Sequence, residues 1–303
     1  LHALVDQQLQ KTNNYKKGKT MSDIAVLKFG GTSVKNIQRL RHVASIIEQE
    51  AKEQKVIVVV SAMGDATDRL LQLAKQCCED PTAQELDVLL ATGEQVTIAL
   101  LTMLLNEAGL RARSLTGAQA GIVTDDKHTN ADILSIDSNL IAAAFADFDV
   151  LVVAGFQGAT TGGAITTLGR GGSDTTAVVL AAAVKARSCE IYTDVDGIYD
   201  LDPNQHPKAL KFGQISFDHC LKLASDGAQV IHPRAVAAAK QFQLPVRVRS
   251  TFCLTDHGTL IKDQCATSDQ GPDKTRGEDS HVRPRLTVVP SCSPRRKVAF
   301  AGG

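Results

Sequence analysis

The chain has 303 residues, 43% of them hydrophobic, with no tryptophan and few other aromatics. Lys plus Arg and Asp plus Glu both number 33, so the formal net charge is zero, which speaks against a nucleic-acid or membrane-surface partner because both usually leave a basic excess. The length suits one large α/β domain or two smaller ones, no stretch resembles a span of about 20 apolar residues, and seven cysteines without a recurring pair spacing fit a reduced, cytoplasmic setting better than a disulfide framework.

Residues 1–20 are polar, carry Lys11, Lys16, Lys17 and Lys19, and lack the apolar core of a secretory signal, so they read as a disordered leader ahead of Met21. The apolar run Ile24-Ala25-Val26-Leu27 predicts a buried strand ending at Lys28, with Thr32 and Ser33 opening a helix to about Gln54. Val56 to Val60 is a second strand buried on both faces, and Thr67 and Asp68 open the next helix. A helical stretch from about Gln84 to Ala108 is interrupted by Gly93-Glu94. Short strands are predicted at Ala112 to Leu115 and Gly121 to Thr124, then a helix from Asp132 to Ala146 and the strand Val150 to Ala154.

A glycine-dense segment follows from Thr161 to Gly172, and Ser173-Asp174 caps an alanine-rich helix to about Ala186. Glu190 to Thr193 is a strand, Phe217 to Ser225 and Arg234 to Phe242 are helices, and Pro245 to Arg249 is a last strand. Repeated strand–helix units with apolar strands predict a mainly parallel sheet covered by helices on both faces, with ligands beyond the carboxyl ends of the strands. Patterning stops after Ile261, and residues 263–303 read as a tail without a core. The expected division is thus a leader at 1–20, one domain at 21–262 and the tail.

Two glycine clusters carry the chemistry. In Lys28-Phe29-Gly30-Gly31-Thr32-Ser33, glycines without a Cβ let backbone N–H groups approach an anion, and a following helix would add partial positive charge. Lys28 is costly at a buried strand end unless an anion meets it there; otherwise it simply snorkels to solvent. In Leu168-Gly169-Arg170-Gly171-Gly172-Ser173-Asp174, an arginine within an anion-cradling nest can grip a carboxylate or phosphate with two parallel hydrogen bonds, unless this is only a surface loop. Neither cluster is a Walker loop or a dinucleotide fingerprint, and the protein-kinase strings are absent. Glu94 is a carboxylate where leucine would be cheaper, and it either meets a substrate ammonium, partners a cap or faces solvent. Asp194 and Asp196 suit a cation or a turn cap equally. His232, before Pro233, reads as a helix-entry residue.

The strings KFGGTSV, VSAMGDATD, GE at 93–94, GFQG, TTLGRGGSD, TDVDGIYDLDP and GAQVIHPRAV resemble, in order and from about Ile24 to Ile261, the aspartate kinases of the amino-acid kinase family. That resemblance implies a three-layer αβα sandwich around a mainly parallel sheet. It also implies MgATP-dependent phosphorylation of the β-carboxylate of L-aspartate, the first step towards lysine, threonine and methionine. Carried over by motif, Lys28 stabilises the transferred phosphoryl group and Asp174 orients that lysine. Arg170 takes the β-carboxylate, Glu94 the α-ammonium, and Ser61 and Thr67 the α-carboxylate side, with Phe156 and Ser173 completing the aspartate pocket. Gly30, Gly31, Thr32, Gly172, Thr193, Asp194, Tyr199 and Gln229 join Lys28 around ATP. Mg²⁺ would be held by phosphates and water, with no protein metal ligand implied.

Two departures stand out. Many family members have a lysine where this chain has Gln229, and the regulatory domains that usually follow, and that build the dimer, are replaced by the tail. The expected result is a catalytic domain without feedback control and at most a weakened homodimer. A weak or inactive ATP- and aspartate-binding fragment that pairs with a full-length kinase is the alternative, ahead of a glutamate or acetylglutamate kinase and a dehydrogenase.

Overall fold

The computed structural model describes residues 24–203, 205–206, 208–225 and 230–263. The leader, Gln229 and the tail lie outside the described residues. The strands are β1 (Ile24–Phe29), β2 (Lys55–Val60), β3 (Ala112–Leu115), β4 (Ile122–Thr124), β5 (Ile133–Ile136) and β6 (Val150–Ala154). They continue as β7 (Gln157–Ala159), β8 (Ile165–Thr167), β9 (Ser188–Thr193), β10 (Gln214–Ile215), β11 (Val246–Ser250) and β12 (Thr259–Ile261). The helices are α1 (Ile37–Glu53), α2 (Ala66–Cys77), α3 (Ala83–Glu107), α4 (Ser138–Asp147), α5 (Gly172–Ala183), α6 (Phe217–Ser225) and α7 (Pro233–Gln241).

Eight strands form the main sheet in the order β10-β12-β11-β9-β1-β2-β6-β3. From β11 to β3 every neighbouring pair is parallel; β12 runs antiparallel to β11. Period-2 alternation then divides the core into two layers. Ile24 and Val26 of β1 and Ile57 and Val59 of β2 share a cluster with Val178 and Ala181 of α5, Ala235 and Val236 of α7 and Ile141 of α4. Ala25, Leu27 and Phe29, with Val56, Val58 and Val60, face the other way, against Leu40, Val43 and Ile47 of α1 and Ile98, Leu101 and Leu105 of α3. Each fully buried Val, Leu, Ile or Phe among them contributes about 1.5–3 kcal/mol, and the alanines less. The expected helix–sheet–helix sandwich is present. The same alternation places Lys28 on the α5 face, in step with Ile24 and Val26.

The chain moves from β1 through α1 to β2 on one side of β1, and later through α5 to β9 on its other side. β1 therefore sits at the point where the strand order reverses, the place where open α/β sheets build ligand crevices.

Several local readings change. The helix after β1 begins at Ile37, with Asn36 as N-cap, because Ser33 and Val34 instead turn back onto the Gly30 carbonyl at 2.9 and 3.3 Å. The stretch from Asp132 to Ala146 divides into β5 and α4, capped by Asp137. β4, β5, β7 and β8 form a separate small sheet in the order β5-β4-β7-β8. Gly93 and Glu94 lie within an unbroken α3. That helix is also long and apolar enough, by composition alone, to cross a membrane, contrary to the sequence expectation. Half of its apolar window is buried within this fold, including the residues packed on the sheet.

Candidate functional site

The carboxyl ends of β9, β1, β2 and β6 lie side by side, and their loops are stitched together. Ser61 N–H donates to the Phe29 carbonyl at 3.2 Å, Gly64 N–H to Gly31 at 3.1 Å, and Gly155 N–H to Val60 at 3.0 Å. Lys28, 8% exposed, is buried rather than extended into solvent. Its Nζ lies 2.5 Å from Asp174 Oδ1 in the first turn of α5. The ammonium also borders Gly30, where a Cβ would sit 3.3 Å from it. Lys28 thus meets a carboxylate across the layer boundary, which offsets the cost of burying its charge.

The N-terminus of α5 differs from the sequence expectation. Ser173 and Asp174 lie inside the helix, and the N-cap is Gly171 in the left-handed region at φ 72°. Any side chain at Gly171 would strike the His232 ring, since a Cβ would fall 2.0 Å from Cγ. Ser173 is buried, its Oγ close enough to Gly155 that a Cβ there would come within 2.8 Å. Phe156 adopts φ 66°, a strained value for a bulky residue. Its N–H donates to Thr176 Oγ1 at 3.3 Å, and its carbonyl accepts from Leu168 N–H at 2.9 Å. The Arg170 loop is therefore anchored at both ends, although Arg170 itself is exposed.

Glu94 is 2% exposed, which removes the solvent-facing reading. Its Oε1 accepts from the Ala62 N–H at 2.9 Å, while its buried Oε2 has no hydrogen-bond partner. Burial, opposed in part by the Ala62 bond, pushes its pKa up to about 7. A carboxylate left in that condition lacks one cation or donor. Ser61 and Thr67 are half-buried at the β2 end and the start of α2.

At the β9 end the groups are more open. Thr193 Oγ1 donates to Asp194 at 3.1 Å, and Tyr199 OH donates to both oxygens of Asp196 at 3.0 and 3.1 Å. Lys211 lies 2.5 Å from Asp256 and 3.4 Å from Asp196. The Tyr199 bonds and the Lys211 ammonium account for Asp196 without a metal ion. Among the described residues no group of three or more His, Cys, Asp or Glu is placed to hold a metal ion. Burial and the Asp196 carboxylate both raise the Tyr199 pKa.

Sequence reasoning gave no role to a second buried carboxylate, Asp87, which is fully enclosed. It accepts from Thr167 Oγ1 at 2.5 Å and Thr129 N–H at 3.0 Å, and lies 2.7 Å from His128 Nδ1. The argument applied to Glu94, an acid on an apolar helix, would have found it two turns earlier. Nor were Arg234 and Lys211 singled out, since only the tertiary structure supplies their partners.

Residues 23–250 match the model of the amino acid kinase family. An aspartokinase of Geobacillus stearothermophilus is 53% identical over 242 residues, covering 80% of this chain and 59% of the relative. Aspartate kinase from Synechocystis superposes with TM-score 0.71 at 45% identity, over 81% of this chain and 40% of that one. E. coli aspartokinase III, solved with aspartate and ADP, superposes with TM-score 0.69 at 27% identity, over 80% of this chain and 65% of that one. The chain spans about three fifths of the length of the curated relatives it matches. With the β1 switch point, the paired lysine and the two glycine loops at one end of the sheet, the chain belongs to the amino acid kinase family.

Proposed function

We propose that this domain transfers the γ-phosphoryl group of ATP to the β-carboxylate of L-aspartate, giving 4-phospho-L-aspartate and ADP in the first step of lysine, threonine and methionine synthesis. The observation that carries the reading is Glu94. A desolvated carboxylate with one unpartnered oxygen, at the strand ends where Lys28 and the Arg170 loop converge, suits the α-ammonium of a free amino acid. The complex of E. coli aspartokinase III with aspartate and ADP adds support.

In this reading a β-carboxylate oxygen attacks the γ-phosphorus and the bond to the β–γ bridging oxygen breaks, leaving on ADP. The attacking carboxylate is already ionised near neutral pH, so no general base is required. What remains is positioning and charge neutralisation. Lys28, held by Asp174, neutralises the transferring phosphoryl group. Arg170 grips the β-carboxylate, Glu94 the ammonium, and Ser61 and Thr67 the α-carboxylate side, with Phe156 and Ser173 closing the pocket. Gly30, Gly31, Thr32 and Gly172 border the phosphates, while Thr193, Asp194 and Tyr199 face the nucleotide; Gln229, outside the described residues, is assigned to the nucleotide by motif alone. Mg²⁺ bound with ATP would supply charge neutralisation at the phosphates, with no protein ligand implied among the described residues. The described cysteines, all free thiols, agree with a reducing cytoplasmic setting.

The test is ADP release coupled to a reporter enzyme, with aspartate, glutamate and N-acetylglutamate as acceptors. Turnover on aspartate alone is expected. ATP binding by calorimetry without ADP release on aspartate would favour a binding fragment instead.

A further inference from the structure

The start of α7 holds the acceptor loop from behind. Arg234 spreads its guanidinium over four acceptors. Nη1 donates to the Leu168 carbonyl at 2.5 Å and to Asn130 Oδ1 at 3.1 Å. Nη2 donates to the Ala131 carbonyl at 3.1 Å and to Asp132 Oδ1 at 2.8 Å. Leu168 begins the loop that carries Arg170, and residues 130–132 form its wall. At Gly169, φ 70°, a Cβ would come within 2.8 Å of Asn130 Oδ1 and 3.2 Å of the Thr129 carbonyl. Asp87 grips the same wall from the other side through His128 and Thr129, and Ala131 N–H donates to the Thr167 carbonyl at 2.9 Å. One residue pair upstream of Arg234, His232 packs on Gly171 and donates its N–H to Asp174 Oδ2 at 3.3 Å.

We infer that Arg234 is a positioning residue for Arg170, fixing the loop between Leu168 and Gly171 so that the exposed guanidinium of Arg170 is presented to the acceptor carboxylate. This rests on the proposed aspartate kinase reading. The physical case is that Arg170 itself has nothing to hold it. Gly169 and Gly171, both at positive φ, flank it with the most permissive residue type, and a loop with that freedom needs outside contacts to present one geometry. A planar fork reaches four oxygens of the loop and its wall at once; lysine, with three donors on one nitrogen, does not span all four. Arg234 touches neither acceptor nor nucleotide in this scheme and acts through the loop alone.

Arg234→Ala in the full chain is expected to raise the KM for aspartate by about tenfold or more, the scale of a misplaced binding group, with the KM for ATP held within about twofold. Arg234→Lys is expected to recover only part of the loss. In an Arg170→Ala background the Arg234→Ala change should add less than about twofold, since a residue acting through another has nothing left to position. Unchanged aspartate KM, an equal rise in both KM values, or effects that multiply in the double variant would each overturn the proposal. A substrate-free arm separates this from the functional reading: amide hydrogen exchange at 168–171 should quicken in Arg234→Ala while β1 and β2 stay protected. Exchange there at the wild-type rate refutes the brace, whereas a wild type inert towards aspartate refutes the kinase reading and leaves the exchange result to decide the brace. If Arg234→Ala does not fold, Asn130→Ala, which removes one acceptor, should show both signatures in smaller measure, and its failure to do so counts equally against the proposal.

Discussion

The end of β1 and the end of β9 solve the same electrostatic problem by different means. Around β1 the charges are enclosed: Lys28 is 8% and Glu94 2% exposed, and each owes its place to strand parity or a helix face buried in the core. Around β9 the charges stand at the rim, where Lys211 keeps 26% and Asp196 40% of its side chain exposed. Enclosed charges interact strongly and tolerate no vacancy, whereas rim charges are screened and replaceable. On the proposed reading, the acceptor end would be prearranged by the core and the nucleotide end by a net of surface pairs.

The comparison predicts a gradient of effects. If Lys28 sits at the proposed phosphoryl position, Lys28→Ala should lower kcat by at least about a hundredfold, as loss of one transition-state electrostatic contact does. A coupled ADP assay beside the wild type measures it; a loss no larger than that of a rim lysine would erase the contrast. Glu94→Gln exchanges the orphan carboxylate for an amide, forfeiting a charge-assisted bond worth about 1.5–3 kcal/mol. Aspartate KM should rise by roughly tenfold or more while ATP KM holds.

Acidity sharpens the same contrast. The Glu94 carboxyl in the ligand-free fold has its pKa raised from 4.5 to about 7, so the folded state binds this proton more tightly than the unfolded state. Its contribution to stability is fully present below about 4.5 and is lost as pH rises through about 7. Glu94→Gln should therefore flatten the fall in melting temperature across that window. An ammonium ligand demands the ionised form, so aspartate should bind with proton release at pH 6, readable by calorimetry in buffers of different ionisation enthalpy. No proton release would separate Glu94 from the ammonium. The smallest effect is expected at the rim. Lys211→Ala breaks half-exposed pairs with Asp196 and Asp256 and should cost no more than about 1 kcal/mol, a few degrees at most in thermal melting.

How far the residues alone revealed this arrangement depends on how local each signal is. The apolar run of β2 and the glycines before α5 are legible because each is a property of a few adjacent residues. The stretch from Asp132 to Ala146 was not, because β5 exists only by pairing with β4, and its residues are read as helix until that partner is known. The start of α1 was misplaced because Thr32 and Ser33 look like caps, while the Gly30 carbonyl takes the turn and Asn36 the cap. Lys28 and Glu94 were found from charge in the wrong surroundings, and Arg170 from its place in a glycine nest. Asp87 carried the same signal and was missed, and Arg234 carried none, since an exposed-looking arginine on an amphipathic helix is ordinary.

Sequence by itself determined the main strands β1, β2, β6 and β9, most of the helices between them and several of the charged groups at their ends, because hydrophobic periodicity and glycine placement act over short separations. Only the tertiary structure decided which charges meet: Lys28 with Asp174 across 146 positions, Arg234 with the 130–132 wall, Glu94 with the Ala62 N–H. Those pairings follow from which layer each side chain enters and from the cost of leaving a buried charge alone, and neither is written in any stretch short enough to read in isolation.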